Sequence, residues 1–160
     1  MTPKERAIHA FSLRLFREHW SELSVNDKSA IIGSIVVASE IIRGYTGPQI
    51  KSRLVSERGC CGMGVLGKAL GLKTYHPSGE EDRLAFKTPA GHRATARFIL
   101  ASLDVPIHLS SKFISWNDEQ SLSFREIGDQ LYMIAQDLTK NSENLDESIW
   151  FRMDNQHSAT

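Results

Sequence analysis

Cys61, His92 and Asn117 are the residue types from which a reaction could be built: a thiol nucleophile, an imidazole to take its proton, and an amide, or the adjacent Asp118, to orient the imidazole. The three are far apart in the chain, so only the fold could bring them together. Residue types alone do not make that geometry. Cysteine is also among the most frequently buried residues, packing as a small hydrophobe, and a histidine opening a helix is unremarkable. A structural role is therefore the expectation for Cys61. A small enzyme or ligand-binding protein using Cys61, His92 and Asn117 is the runner-up.

The stretch Cys60-Cys61-Gly62-Met63-Gly64-Val65-Leu66-Gly67-Lys68 suggests a second chemistry, because it matches two phosphate-binding patterns at once. Gly62, Gly64 and Gly67 have dinucleotide-type spacing, and Gly62 to Gly67-Lys68 has P-loop spacing until Ala69 stands where a magnesium-binding Ser or Thr belongs. Both motifs need a strand to deliver the chain to the glycines. Upstream, Thr46 and Gln49 read as a capping box, Ile50 and Leu54 as an apolar edge and Gly59 as a stop, which predicts a helix in that place. Gly71 then ends the following helix after about two turns, and Glu80 and Glu81 fall in a polar loop rather than at a strand end. No nucleotide cofactor is expected. The segment reads as a short helix on which Cys61, Gly64, Val65 and Ala69 let another helix come close while Met63, Leu66 and Leu70 fill the core.

Zinc would need Cys60 or Cys61 with His76, His92 or His108, but adjacent cysteines lack the spacing of structural sites, so no metal is expected. Ser123-Phe124-Arg125-Glu126-Ile127, after a helix and a turn, resembles the first helix of a helix-turn-helix reader. Its apolar stripe runs on to Leu138 and no basic recognition helix follows, which leaves a DNA-binding regulator as the third reading and nucleic acid as a disfavoured partner.

The elements that would position these residues are mostly helical. Ile8, Phe11, Leu15, Phe16 and Trp20 predict a first helix over 3–20. Ser24 to Asp27 start a second that Arg43-Gly44 stop; it is apolar nearly all round, so it is central to the domain or shared in a homodimer. Residues 74–91 read as a long loop or small hairpin, 92–103 as a helix broken by Asp104-Val105-Pro106, 107–116 as a short helix, and 117–120 as a turn anchored by Trp116. Ser123 and Glu126 make a capping box ahead of Phe124, Ile127, Leu131, Ile134, Ala135 and Leu138. The fold class is mainly α: one bundle of six or seven helices with a loop or hairpin insertion near 74–91. A helical domain over 1–143 would precede a polar segment, 144–160, that carries Ile149, Trp150, Phe151 and Met153. Trp150, Phe151 and Met153 are the candidate partner-binding residues, because a clustered aromatic pair in a polar tail is costly to leave in water.

At 160 residues and 41% hydrophobic, one domain can bury a core without staples. The 19 basic and 19 acidic side chains cancel, so the chain as a whole is neither a basic partner for nucleic acid nor an acidic mimic of it. Residues 1–80 hold 11 basic against 7 acidic side chains and residues 81–160 hold 8 against 12, or +4 and −4. Two vicinal cysteines make no disulfide framework, the amphipathic start is not an apolar signal core, and the apolar run at 30–42 is too short to span a bilayer. A cytoplasmic protein without a membrane segment is the expectation.

Cys61-Gly62-Met63-Gly64-Val65-Leu66, Trp116-Asn117-Asp118 and Ser123-Phe124-Arg125-Glu126-Ile127 resemble, over about residues 58–138, a group of uncharacterised small bacterial and phage proteins. Those proteins carry a Cys-x-x-Gly-Ala-Leu helix, an Asn-Asp turn and a Ser/Thr-Phe-x-x-Ile helix; Val65 replaces their usual Ala. The resemblance implies a helical fold and a bacterial or phage setting, and no reaction. The expected function is a non-catalytic binding protein acting through a protein partner. A phage-encoded inhibitor of a host defence complex is the example that the resemblance suggests.

Overall fold

The computed structural model describes residues 1–77 and 83–140. Within them the chain forms seven α-helices and two small antiparallel hairpins, the helical bundle with a hairpin insertion that the periodicity predicts. The boundary at 143 and the aromatic cluster Trp150, Phe151 and Met153 lie outside the described residues.

Chain entry at the N-terminus differs from expectation. In place of one helix over 3–20 there are two, α1 (Pro3–Ile8) and α2 (Leu13–Trp20). The break comes from Ser12, whose hydroxyl accepts from the Leu15 N–H at 3.2 Å and caps a new helix in competition with the old one. The kink re-aims the stripe: Ile8, Phe16 and Trp20 are buried, whereas Phe11 is exposed.

α3 (Val25–Gly44) and α7 (Phe124–Lys140) form the spine and make the most extensive helix pair. Ser24 caps α3 through the Asp27 N–H. At the start of α7, Ser123 Oγ accepts from the Glu126 N–H and Glu126 Oε1 accepts from the Ser123 N–H, both at 3.1 Å, so the capping box read from the sequence is complete. α3 buries Ile31, Ile35, Ala38 and Ile42, and α7 buries Ile127, Leu131, Ile134, Ala135 and Leu138. Between the two helices, Ser39 Oγ donates to the Gly128 carbonyl at 2.7 Å. The far side of α3 is not fully covered, Val37 being half exposed.

The region 46–59 is not the predicted helix. Pro48 disfavours helical geometry at the residue before it, and the chain instead runs extended, pairing Ile50 N–H with Cys60 O and Cys60 N–H with Pro48 O. It closes in a two-residue hairpin, β1 (Val55–Ser56) against β2 (Gly59–Cys60), which feeds α4 (Gly62–Ala69). A second hairpin, β3 (Lys73–Tyr75) with β4 (Ala85–Lys87), pairs Thr74 with Phe86 and occupies the predicted insertion.

α5 (Ala96–Ser102) starts four residues later than predicted. Thr95 caps it through the Phe98 N–H, and His92 belongs to the preceding hairpin end, where its N–H donates to Thr88 Oγ1. After Asp104 come a 3₁₀ turn (Ile107–Leu109), α6 (Ser110–Ile114) and a wide π turn (Ser115–Glu119). His108, in the 3₁₀ turn, lies against the Phe16 ring with both ring nitrogens enclosed and, among the described residues, without hydrogen-bond partners. Burial, aided by Lys112, pushes its pKa down to about 3, so it is uncharged at neutral pH.

Candidate functional site

Asn117 sits at the meeting point of three segments. The predicted Asn-Asp surface turn is instead the interior of the π turn, with Asn117 buried and Trp116 beneath it fully enclosed. Its Oδ1 accepts from Gln49 Nε2 at 2.8 Å and from the Gly62 N–H at 3.3 Å. Its Nδ2 donates to the Ile50 carbonyl and to Asp118 Oδ1, both at 2.8 Å. An amide offers two acceptor and two donor positions, and all four are filled. Asp118 Oδ1 also accepts from the Ser52 N–H at 2.9 Å, holding Ser52 in the left-handed region at φ 66°. The pair therefore pins the 49–52 loop to the start of α4 and to the π turn.

Cys61 is the N-cap of α4. Its sulfur accepts from the Gly64 N–H at 3.4 Å, and the Met63 amide also bonds to it. Burial dominates over these bonds and pushes the thiol up to about 11. Neighbouring Cys60 is also raised, by burial against the opposing influence of a Tyr45 hydrogen bond and the Lys68 charge. Lys68 Nζ donates to Tyr45 Oη at 2.9 Å and lies over that ring.

These contacts revise the reading of the glycine segment. A strand does feed it, contrary to the predicted helix, but as half of a two-residue hairpin. The amides that a phosphate would need are occupied: Gly62 N–H by Asn117, Met63 and Gly64 N–H by Cys61, and Cys61 N–H by the Leu54 carbonyl. Nor does Gly64 receive another helix, as its small size suggested; it faces the Leu54 carbonyl of the loop, and Ala69 is exposed.

Beside this junction lies a cleft of about 220 Å³. Leu54, Met63, Ala96 and Phe113 form its apolar walls, Cys61, Asn117 and Asp118 stand on its polar side with Ser52, Arg53 and Ser110, and Ile114, 55% exposed, also lines it. Comparison with protein-family models, curated proteins and solved structures finds no match. The site is therefore read from its own residues.

Of the three sequence candidates, the fold brings Cys61 and Asn117 to one cleft and leaves His92 out of it. His92 is exposed at the hairpin end and is not among the residues lining the cleft. Among the described residues no other histidine lines it either, so none of them offers the thiol an imidazole base there. Among the described residues, no three or more His, Cys, Asp and Glu side chains gather as a metal site would require, and no helix is long and apolar enough to cross a membrane. Gln49, Leu54 and Phe113 were missed as site residues. Pro48 was the available signal for the first two, since it argues against the helix that would have pointed them elsewhere.

A thiol with a pKa of about 11 is about 0.1% thiolate at pH 8, which predicts alkylation of native Cys61 by iodoacetamide roughly a hundredfold slower than that of free cysteine. Mass-spectrometric labelling in native buffer and in denaturant measures the ratio. Native labelling at the free-cysteine rate would return Cys61 to the role of nucleophile.

Proposed function

We propose that this protein is a non-catalytic binding protein acting through a protein partner, and that the cleft beside Asn117 seats one apolar side chain of that partner. The size and lining of the cleft carry the reading. Pockets that enclose a small-molecule ligand run to about 300–1,000 Å³, whereas this one, at about 220 Å³, suits a single large side chain. Its apolar walls favour such an anchor, and the exposed Ile114 extends them towards a partner's surface. The filled hydrogen bonds of Asn117 and the neutral, enclosed Cys61 leave the polar side with a positioning role rather than a reactive one. Given the setting implied by the motif resemblance, a host protein is the partner to look for, and inhibition of a defence complex is one outcome of such binding.

A display library of random twelve-residue peptides, selected against the immobilised full chain, tests this reading. Enriched peptides should share one large apolar residue and lose binding to an Ile114→Asp variant that melts like the parent. Absence of any peptide sensitive to Ile114→Asp would overturn the proposal.

A further inference from the structure

Asp118 stands at the cleft with its hydrogen bonding half made. Oδ1 accepts from Asn117 Nδ2 and from the Ser52 N–H, which fixes the carboxylate in place, whereas among the described residues Oδ2 accepts from no donor. Among them Asp118 is also in no ion pair, and its charge reaches the Cys61 thiol, which it helps to push up. Arg53 lines the same cleft, and among the described residues its guanidinium too is without an ion-pair or hydrogen-bond partner. Two opposite charges therefore line one small, largely apolar hollow without pairing with each other. Water can satisfy both, but an apolar side chain seated in the cleft displaces it, and the carboxylate oxygen then needs a donor that arrives with the occupant.

Resting on the reading of the cleft as a side-chain pocket, we infer that the residue seated there is the first residue of the partner chain, an apolar residue whose free α-ammonium is bound by Asp118 and whose carbonyl oxygen is bound by Arg53. The Cα of a terminal residue carries side chain, ammonium and carbonyl together, so a single residue fills the hollow and meets both charges. An internal residue offers Asp118 only a neutral N–H, and a bond from an ionised donor is roughly twice as strong. A lysine would bring an ammonium to Asp118 but nothing to accept from Arg53, whose like charge would repel it. A C-terminal residue has the wrong polarity. Its carboxylate would pair with Arg53, which is exposed and where pairing contributes little, and would stand beside the half-buried Asp118, which repels it.

The twelve-residue display library, built with the random segment at a free amino terminus, supplies the probe. Peptides dependent on Ile114 should carry their large apolar residue in first place. A synthetic copy of the most enriched peptide, labelled with fluorescein at its C-terminal end, should bind the full chain roughly tenfold or more weakly once its α-amine is acetylated. Asp118→Asn keeps an oxygen for Asn117 and Ser52 but removes the charge. It should cause the same loss for the free peptide and little further loss for the acetylated one. Acetylation is read on the parent chain, so that comparison stands even where Asp118→Asn melts lower. Ile114-dependent peptides whose apolar residue has no fixed place, or that bind as well when acetylated, would overturn this inference and leave the cleft reading standing. Loss of all Ile114-dependent binding would overturn both. An acetylated peptide that binds through a lysine and is lost in Asp118→Asn would overturn it in favour of a side-chain ammonium. Free leucine that displaces the labelled peptide as effectively as the unlabelled peptide does would overturn it in favour of a free amino acid.

Discussion

Asn117→Ala should lower the unfolding free energy by about 2 kcal/mol or more, because it strips partners from enclosed groups that cost about 1–3 kcal/mol each when left unsatisfied. Two such groups lose their partner, the buried Gly62 N–H and the half-buried Ile50 carbonyl, whereas the exposed Gln49 amide keeps the Leu122 carbonyl. For a domain of this size that corresponds to a fall in melting temperature of roughly 5 °C or more. Asn117→Asp isolates the cause. It retains an oxygen for Gln49 and Gly62 but turns a second oxygen towards the Ile50 carbonyl and Asp118 Oδ1, where the amide now donates. The introduced carboxyl would have its pKa raised in the folded state, so the folded protein binds the extra proton and the variant's deficit shrinks as pH falls towards 5. Asn117→Ala lacks that titration and should show no such recovery. Chemical denaturation of the three proteins at pH 7.5 and pH 5 measures both effects. A deficit below about 1 kcal/mol for Asn117→Ala would mean that the junction holds without its central amide.

That amide was visible in the sequence, but its role was not. Trp116-Asn117-Asp118 before a capped helix has the composition of a surface turn, and local composition cannot report that the turn widens into a π turn and is closed in by a loop roughly 70 residues upstream. The long elements were legible for the opposite reason. The stripe of α7 and the caps at Ser24 and Ser123 are local patterns, and the structure reproduces them. Errors arose where two local signals competed. Ser12 could continue a helix or cap a new one, and it caps. Thr46 and Gln49 could frame a capping box, but Pro48 between them opposed it, and Gln49 satisfies its amide on Asn117 and the Leu122 carbonyl. His92, Cys61 and Asn117 were grouped by type alone, and the fold separates the histidine because Thr95, not His92, starts α5.

Gly64→Ala tests whether the glycine segment is written for contact or for chemistry, and its effect should rival that of Asn117→Ala. A methyl group at Gly64 would lie 1.8 Å from the Leu54 carbonyl oxygen and 2.8 Å from Cys60 Cβ. The obstacle is backbone, and that backbone is tied down: the same Leu54 carbonyl accepts from the Cys61 N–H at 3.2 Å. Relief of the clash must break this bond or lift the 52–54 wall off α4, and overpacking of a fixed site costs about 1–3 kcal/mol before the hydrogen bond is counted. We expect a loss of about 3 kcal/mol or more, approaching failure to fold in a protein whose total stability is about 5–15 kcal/mol. Gly33→Ala is the control, because Gly33 is exposed within α3 and a methyl group there meets nothing within 4 Å. There the usual helix preference for alanine over glycine should raise stability by about 0.5–1 kcal/mol. Opposite signs from the same substitution would locate the requirement for glycine in the closeness of the Leu54 carbonyl to α4. A Gly64→Ala protein within about 1 kcal/mol of the parent would show that the 52–54 wall yields easily, and a wall that yields could not hold Leu54 as a fixed side of the cleft.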